Sequence, residues 1–396
     1  MLDRKELSAY DAIRPFEPEE LPAVYDRLCA DQQFRSVAQA VYPGVPFSAL
    51  EAKMRTCASG LQFQKAFCYD FLEQLLAKAA TSCDIDTEHL DTTRRYTFVS
   101  NHRDIVLDSA LLDKLLLEAG FNTTAEIAIG DNLLAAPWIK DLVRVNKSFI
   151  VERSPGIREM LICSKRLSEY MHLVIARKHD NVWIAQREGR AKDSDDRTQP
   201  SVLKMMAMGG EGTIVERLKQ LHIVPLSISY EYDPCDFLKA QEYQLRRDVP
   251  GWKKSKADDL LSMKTGILGY KGAIHYHCAP CIDDWLDTLP TDMPKAELFD
   301  TIAAHIDSEI HRHYRIYPSN RAALDLLRQQ PSPAADRAQR LSRWDNSLTP
   351  EARQQFEDYL DKQIGKISLP NKDEDYLRNQ MLTQYANPLI NHLAAQ

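Results

Sequence analysis

The stretch YTFVSNHRDIVLDSALLDKLLLEAG (96–120) joins a short β-like run directly to a long helical pattern. The run YTFVS (96–100) is rich in aromatic and β-branched residues, whereas the apolar residues of the second half recur every three or four positions. The polar letters NHRD (101–104) stand between the two. In open α/β sheets, ligands bind beyond the carboxyl ends of the strands. The stretch therefore predicts a strand, a turn that carries the chemistry and a crossover helix.

Five more β-like runs follow, and helical patterns separate several of them. The six runs are 96–100, 124–130, 147–152, 181–186, 222–230 and 272–278. Strand alternating with helix is typical of an α/β fold with parallel strands. We therefore predict an α/β core over residues 94–284, built as a mostly parallel sheet with flanking helices.

The two ends of the chain show helical periodicity instead. Residues 1–93 form a predicted helical N-terminal region, whose last helical pattern runs from Pro46 to Cys83. Residues 285–396 form a predicted helical C-terminal extension, which includes ADRAQRLSRW (335–344). The sequence thus predicts a core between two helical regions.

Composition limits the class of protein. With 396 residues, of which 44% are apolar, the chain can bury a sizeable core. A net charge of −7 argues against nucleic acid as a partner. The N-terminus lacks the apolar segment of a signal peptide, and no run of eighteen apolar residues occurs. We expect a cytoplasmic protein whose eight cysteines are free.

The letters His-Arg-Asp also occur in the catalytic loop of protein kinases. That loop needs an Asn five residues after the Asp to hold a second magnesium ion, but the residue here is Ser109. No Asp-Phe-Gly follows, and no glycine-rich loop precedes. The sequence therefore excludes a protein kinase.

Four blocks carry a resemblance to a known family. They are NHRDIVLD (101–108), KSFIVER (147–153), REGRAKD (187–193) and IVPLSISY (223–230). In order and spacing they resemble the motifs of the glycerophosphate and lysophosphatidate acyltransferase superfamily, over roughly residues 94–282. The resemblance implies transfer of a fatty acyl group from acyl-CoA or acyl carrier protein to a hydroxyl of glycerol-3-phosphate or a lysophosphatidate-like acceptor, as 1-acyl-sn-glycerol-3-phosphate acyltransferases do in phospholipid synthesis.

The resemblance implies that His102 is the catalytic base. A positioned His can take the proton of an acceptor hydroxyl, and a carboxylate can hold its imidazole in the correct tautomer. The family has its Asp five residues after the His, where this chain has Leu107. Asp108 is the first candidate for this carboxylate, and it needs an irregular turn to reach His102. Asp104 is the reserve, with helix capping as its alternative role. We expect backbone N–H groups near the helix start to stabilise the oxyanion.

The second and third blocks carry residues that would bind an anionic head group. Arg suits phosphate because its planar fork makes two hydrogen bonds at once, and Gly allows a ligand to approach the backbone. The family has an Arg three residues after its Glu, where this chain has Ala191, so neighbouring basic residues would substitute. The expected substrate-binding residues are Arg153, Arg187, Glu188, Gly189, Arg190, Lys192 and Pro225, the last beside the acyl channel. An acceptor derived from an amino acid is the alternative.

No metal or tightly bound cofactor is implied. HYHCAPC (275–281) places two histidines near a C-x-x-C, yet no second ligand pair stands at zinc-ribbon spacing. A lipid acceptor implies peripheral contact with the inner face of the cell membrane, for which the helices around Trp138 and Trp252 are candidates. Two other functions stay open, a non-catalytic lipid-binding protein on the same fold and an acyl hydrolase.

Overall fold

A computed structural model describes residues 4–153, 156–329 and 348–396, in which seven strands form one sheet. In chain order the strands are β1 Ala80–Asp86, β2 Thr97–Ser100, β3 Ala125–Gly130, β4 Ser148–Val151, β5 Asn181–Ala185, β6 Ile223–Tyr230 and β7 Gly272–Cys278. Their order across the sheet is β1-β7-β6-β2-β5-β3-β4. Strands β2 to β6 are parallel, and the edge pair β1 and β7 runs the other way. The predicted α/β fold with a mostly parallel sheet is confirmed.

Helices occupy most of the remaining described chain. The helices are α1 Arg4–Ser8, α2 Leu21–Ala30, α3 Gln32–Val41, α4 Phe47–Arg55, α5 Gly60–Phe63, α6 Asp70–Ala79, α7 Leu107–Glu118, α8 Pro137–Val145, α9 Ile157–Leu173, α10 Pro200–Met206, α11 Ile214–Lys219, α12 Asp236–Asp248, α13 Lys256–Leu268, α14 Asp283–Leu286, α15 Lys295–Arg312, α16 Pro318–Leu327, α17 Pro350–Gly365 and α18 Glu374–Ala394. Short 3-10 turns occur at Pro18–Glu20 and Asp131–Leu133, and π-helical turns at Gln64–Tyr69 and Val174–Lys178.

The sheet buries both of its faces. Successive strand residues point to opposite faces, so Phe98 packs on one side of the sheet and Val99 on the other. Helices α6 and α7 cover the first side, and helices α9 and α15 cover the second. Burial on both faces explains why the strands are continuous apolar runs rather than alternating ones.

One predicted element is wrong. The helical pattern expected to run to Cys83 ends at Ala79, and Ala80–Asp86 is strand β1 instead. It pairs in parallel with β7 at the edge of the sheet. Thr81 and Ile85 are β-branched and suit a strand, and pairing with a distant segment decides the conformation. The N-terminal region is therefore not helical throughout.

The terminal regions build two apolar clusters of their own. Val145 of α8 is buried among residues of the N-terminal helices α2 to α4. Helices α16, α17 and α18 enclose the second cluster, together with Ala240 of α12. The predicted helix 335–344 lies outside the described residues. Over the described ranges, no helix combines the length and apolarity needed to cross a bilayer.

Candidate active site

The four sequence blocks meet at one edge of the sheet. Because β2 to β6 are parallel, their carboxyl ends share this edge. His102 follows β2, Arg153 follows β4 and Glu188 follows β5. Strand β7 runs in the opposite direction, so its first residues, beside Lys271, lie at the same edge. This is the edge at which open α/β sheets bind ligands.

His102 and Asp108 form a close pair at this edge. His102 Nδ1 lies 2.8 Å from Asp108 Oδ2, and the imidazole is 14% exposed whereas the carboxylate is buried. Helix α7 begins at Leu107, so residues 103–106, which lie between the pair, precede the helix. This is the irregular turn that their spacing requires. With Nδ1 held by the carboxylate, Nε2 is the ring nitrogen left to exchange a proton with a ligand.

The backbone also fixes the Asp108 carboxylate. The oxygen that faces His102 accepts hydrogen bonds from the N–H groups of Arg103, at 2.6 Å, and Asp104, at 3.1 Å. The Tyr276 hydroxyl donates to the Asp108 carbonyl oxygen at 2.9 Å. Hydrogen bonds to a carboxylate are stronger than neutral ones. Asp108 is therefore held in position independently of the imidazole.

Asp104 has a different role. Its Oδ1 accepts from the N–H groups of Val106 and Leu107, both at 2.8 Å, so the side chain caps the start of α7 from just upstream. Burial raises the pKa of Asp104, and the nearby Asp108 charge adds to this rise. A Cβ added at Gly266 of α13 would clash with Asp104 Oδ2. The carboxylate is therefore enclosed by α13, and capping is the role that its geometry supports.

The expected oxyanion donors are already engaged. The N–H groups of Arg103 and Asp104 donate to Asp108, and those of Val106 and Leu107 donate to Asp104. An N–H that donates to a carboxylate is not free to stabilise a developing oxyanion. The expectation that backbone N–H groups near the helix start stabilise the oxyanion is therefore wrong for these four N–H groups, because Asp104 and Asp108 already accept their hydrogen bonds.

Arg153 and Glu188, from the second and third blocks, contact each other. Arg153 Nη1 lies 2.9 Å from Glu188 Oε1, and the two side chains are 47% and 68% exposed. An exposed ion pair contributes roughly 0–1 kcal/mol to stability. An anionic ligand at this edge would therefore compete with Glu188 for the guanidinium at little cost.

Arg187 and Arg190 stand on the same loop after β5, and both are half-buried. Arg187 Nε and Arg190 Nη1 are shielded from solvent, and neither finds a hydrogen-bond partner among the described residues. Burial alone would raise the pKa of the Asp233 carboxyl. The positive charges of Lys239 and Arg190 instead hold this pKa below its usual value. An unpaired buried donor costs about 1–3 kcal/mol, and more when it is charged. The two arginines can regain this energy by binding an anion.

Three other predicted residues have clear positions. Gly189 has φ +69°, and a Cβ added there would meet nothing within 4 Å, so backbone conformation rather than crowding requires glycine. Lys192 Nζ is paired with Glu242 of α12 and so has a protein partner. Pro225 is buried within β6, in register with Val99 of β2.

Two residues that shape the site have no role predicted from the sequence, although Asn101 belongs to the first block. The Asn101 side chain donates to the carbonyl of Ile228 at 2.9 Å and accepts from its N–H at 2.8 Å, which ties the His102 loop to β6. Trp183 Nε1 donates to Ser100 Oγ at 3.0 Å, and its ring lies edge-on to the His102 ring at 5.8 Å. A Trp inside a strand resembles any core residue, so local pattern gives no signal for it.

A buried ion pair joins the first block to the chain that follows the third block. Arg103 Nη2 lies 2.7 Å from Asp196 Oδ2, and both side chains are buried. The Tyr314 hydroxyl, beyond the end of α15, also donates to Asp196. Removing one partner of such a pair is strongly destabilising because it leaves a buried charge unpaired. The pair therefore holds the loop that carries His102 against the chain that follows Arg187 and Arg190.

Comparison with known proteins finds distant similarity to solved structures. No protein-family model matches the sequence, and no curated protein matches it. Among solved structures, the chain is similar to the 1-acyl-sn-glycerophosphate (LPA) acyltransferase PlsC from Thermotoga maritima, with 12% identity and a TM-score of 0.37. The match covers 73% of this chain and 93% of that one. At this level of similarity the match does not identify an activity for this chain.

Proposed function

We propose that this protein is an acyltransferase. In this proposal it moves a fatty acyl group from acyl-CoA or acyl carrier protein to a hydroxyl of glycerol-3-phosphate or a lysophosphatidate-like acceptor. The observation that carries the proposal is the buried Asp108 carboxylate, 2.8 Å from Nδ1 of a partly exposed His102 at a strand end. A His oriented by a carboxylate is the arrangement that activates hydroxyl nucleophiles.

The proposed reaction is a direct transfer. His102 Nε2 takes the proton of the acceptor hydroxyl as its oxygen attacks the thioester carbonyl, and Asp108 stabilises the imidazolium that forms. When the tetrahedral intermediate collapses, the carbon–sulfur bond breaks and the imidazolium returns the proton to the leaving thiolate. The new carbon–oxygen bond remains in the product ester, and no acyl-enzyme forms.

The arginines support an anionic acceptor. Arg187 and Arg190 each present a shielded N–H without a hydrogen-bond partner in the described chain, and Arg153 is held by an exposed glutamate that a ligand can displace. A phosphate group offers three acceptor oxygens and up to two negative charges, which suits several guanidinium donors. These contacts favour a phosphate-bearing acceptor.

Exposed apolar side chains support peripheral contact with a membrane. Ile157 and Leu161 of α9 are 76% and 56% exposed and lie one helical turn apart, and Met160 and Ile162 are also exposed. Trp138 packs against Phe34 of the N-terminal helices, with ring centroids 6.0 Å apart, so we assign the contact to α9 rather than to α8. A lipid acceptor would then reach the site from the bilayer.

Acceptor-dependent thiol release tests the proposal. Purified protein is given acyl-CoA or acyl carrier protein thioester, with and without lysophosphatidate or glycerol-3-phosphate. We expect release that needs the acceptor and that His102→Ala lowers by about 10²–10⁴-fold. His89→Ala is the matched control, since His89 is exposed and lies beyond the other edge of the sheet.

Two outcomes would contradict the proposal. One is silence from the wild type with both donors and both acceptors. The other is free fatty acid formed equally well without any acceptor, which would indicate a hydrolase.

A further inference from the structure

Three side chains meet at the edge of the sheet opposite to His102. His222 directly precedes β6, and Cys281 and Asp283 follow β7, which runs the other way. The N–H of Ile282 donates to the carbonyl of Ile223 at 3.0 Å, which fixes the second segment beside the first. The fold thus brings an imidazole, a thiol and a carboxylate together from segments that are about sixty residues apart in sequence.

The donor atoms of these three groups are close enough together to share one cation. One donor atom from each residue lies within 4.8 Å of the other two. His222 Nδ1 and Asp283 Oδ2 are 2.6 Å apart, and Asp283 Oδ1 is shielded from solvent and has no hydrogen-bond partner within the described chain. His222 has φ +46°, a left-handed conformation that non-glycine residues rarely adopt. Such backbone strain is concentrated at functional sites.

The donor types select a class of ligand. Imidazole nitrogen, thiolate sulfur and carboxylate oxygen together suit Zn²⁺ and similar divalent transition metals, and three protein ligands leave one position open. Cys281 would bind the metal ion as a thiolate, because a coordinating thiol is deprotonated.

We propose that His222, Cys281 and Asp283 bind one divalent metal ion of the zinc class, with a fourth position open to water. This departs from the expectation that the chain holds no metal. That expectation considered His275 and His277 beside the cysteine pair, whereas the site uses Cys281 with a histidine from another strand. The site is separate from the proposed acyl-transfer site, so either proposal can fail without the other.

Arg94 provides an internal test. Its Nη2 lies 3.2 Å from His222 Nδ1, and its guanidinium is 3.7 Å from Asp283, with the side chain 49% exposed. A guanidinium and a metal ion are both cations, so they compete for the same two ligands. Because Arg94 is half-exposed, it can turn to solvent when a metal binds. Removing its charge should therefore strengthen metal binding.

The experiment is a titration of the chelator-treated full-length protein with Co²⁺, followed by its visible and near-ultraviolet absorption, and with Zn²⁺ by calorimetry. We expect one ion per chain and a thiolate-to-cobalt band that Cys281→Ser abolishes. His222→Ala should weaken binding at least about tenfold, whereas Arg94→Gln should tighten it. Cys163→Ser changes a cysteine on α9 that is far in sequence from the three proposed ligands. This control variant should leave the stoichiometry and the absorption band unchanged.

Three results would overturn the proposal. They are no stoichiometric ion on the wild type, binding that Cys281→Ser and His222→Ala leave intact, and an affinity that Arg94→Gln lowers. Circular dichroism of each variant shows whether it has folded. If Cys281→Ser does not fold, Arg94→Gln still tests the proposal. This variant alters an exposed side chain, and the proposal predicts that it binds the metal ion more tightly.

Discussion

Asp104 and Asp108 are four residues apart, and their surroundings give them different roles. Asp108 lies in the first turn of α7 with one oxygen facing His102, where the helix dipole favours a negative charge. Asp104 lies before the helix, with its carboxylate against α13 and its Oδ1 on two backbone N–H groups. Sequence spacing alone could not assign these different roles to the two aspartates, because the turn between them has no regular geometry.

Substitution by asparagine should separate the roles of the two aspartates. Asn caps helices about as well as Asp, so Asp104→Asn should keep the turn, and we expect a kcat within about tenfold of wild type. Asp108→Asn reverses the hydrogen-bond preference of the imidazole and should lower kcat by about 10³–10⁴-fold. Steady-state thiol release measures both variants. A larger loss in Asp104→Asn would make Asp104 the orienting carboxylate.

The residue types of the site could be predicted, whereas their contacts could not. The strand-end positions of His102 and Arg190 follow from the pattern of runs and loops. The engagement of the turn N–H groups by two carboxylates depends on the fold of the turn. The ring of Trp183 beside His102 depends on the neighbouring strand. Such contacts are properties of the tertiary structure.

At the scale of elements, six strands could be predicted and one could not. The six are apolar, β-branched runs bounded by turn residues, so their pattern is local. Strand β1, with the sequence ATSCDID, is largely polar, and its partner β7 lies about 190 residues further along the chain. Its pairing with β7 supplies the stabilisation that its own residues lack. Elements of this kind are the least accessible to sequence reasoning.

The exposed apolar residues of helix α9 lead to a testable prediction about membrane binding. Ile157→Ser with Leu161→Ser should weaken binding to anionic phospholipid vesicles at least about tenfold, because a fully buried aliphatic side chain is worth about 1.5–3 kcal/mol. Val37→Ser with Val41→Ser on α3 is the matched control, since these residues have the same spacing and are also exposed. Vesicle sedimentation measures both pairs. Equal losses in the two pairs, or a wild type that does not bind, would refute membrane contact through α9.

At the scale of the whole molecule, side-chain packing crosses the predicted boundaries between the N-terminal region, the α/β core and the C-terminal extension. Helix α15, from the C-terminal extension, packs directly on the sheet. Val145, from the α/β segment, is buried in the N-terminal cluster. Patterns in sequence show where helices replace strands, but they do not show which apolar faces meet. The three predicted regions therefore share buried surfaces.

The contact between β7 and the chain after α15 should make stability depend on pH. The rings of His277 and His313 are stacked with centroids 4.1 Å apart, and burial together with the His313 charge lowers the pKa of His277 to about 4. In the unfolded chain a His has its ordinary pKa of about 6.5. The unfolded state therefore takes up this proton first, and the His277 contribution to stability falls as the pH falls from about 6.5 to about 4.

A comparison of variants isolates this effect. Burial raises the pKa values of Asp113 and Asp236 to about 7, and these groups change stability in the opposite direction over the same range. The measurement is therefore the difference in urea midpoint between wild type and His277→Gln, at pH 7.5 and at pH 4.5. We expect the wild type to lose more stability than the variant on acidification. The same loss in both would show that His277 does not titrate as its burial requires.

The most direct test of the central claim is a double-mutant cycle on His102 and Asp108. The value of kcat/KM for acceptor-dependent thiol release is measured for the wild type, His102→Ala, Asp108→Asn and the double variant. If the imidazole and carboxylate act as one unit, the double variant should be within about threefold of His102→Ala alone. Losses that multiply, or a His102→Ala variant that keeps the wild-type rate, would contradict a catalytic pair at this site.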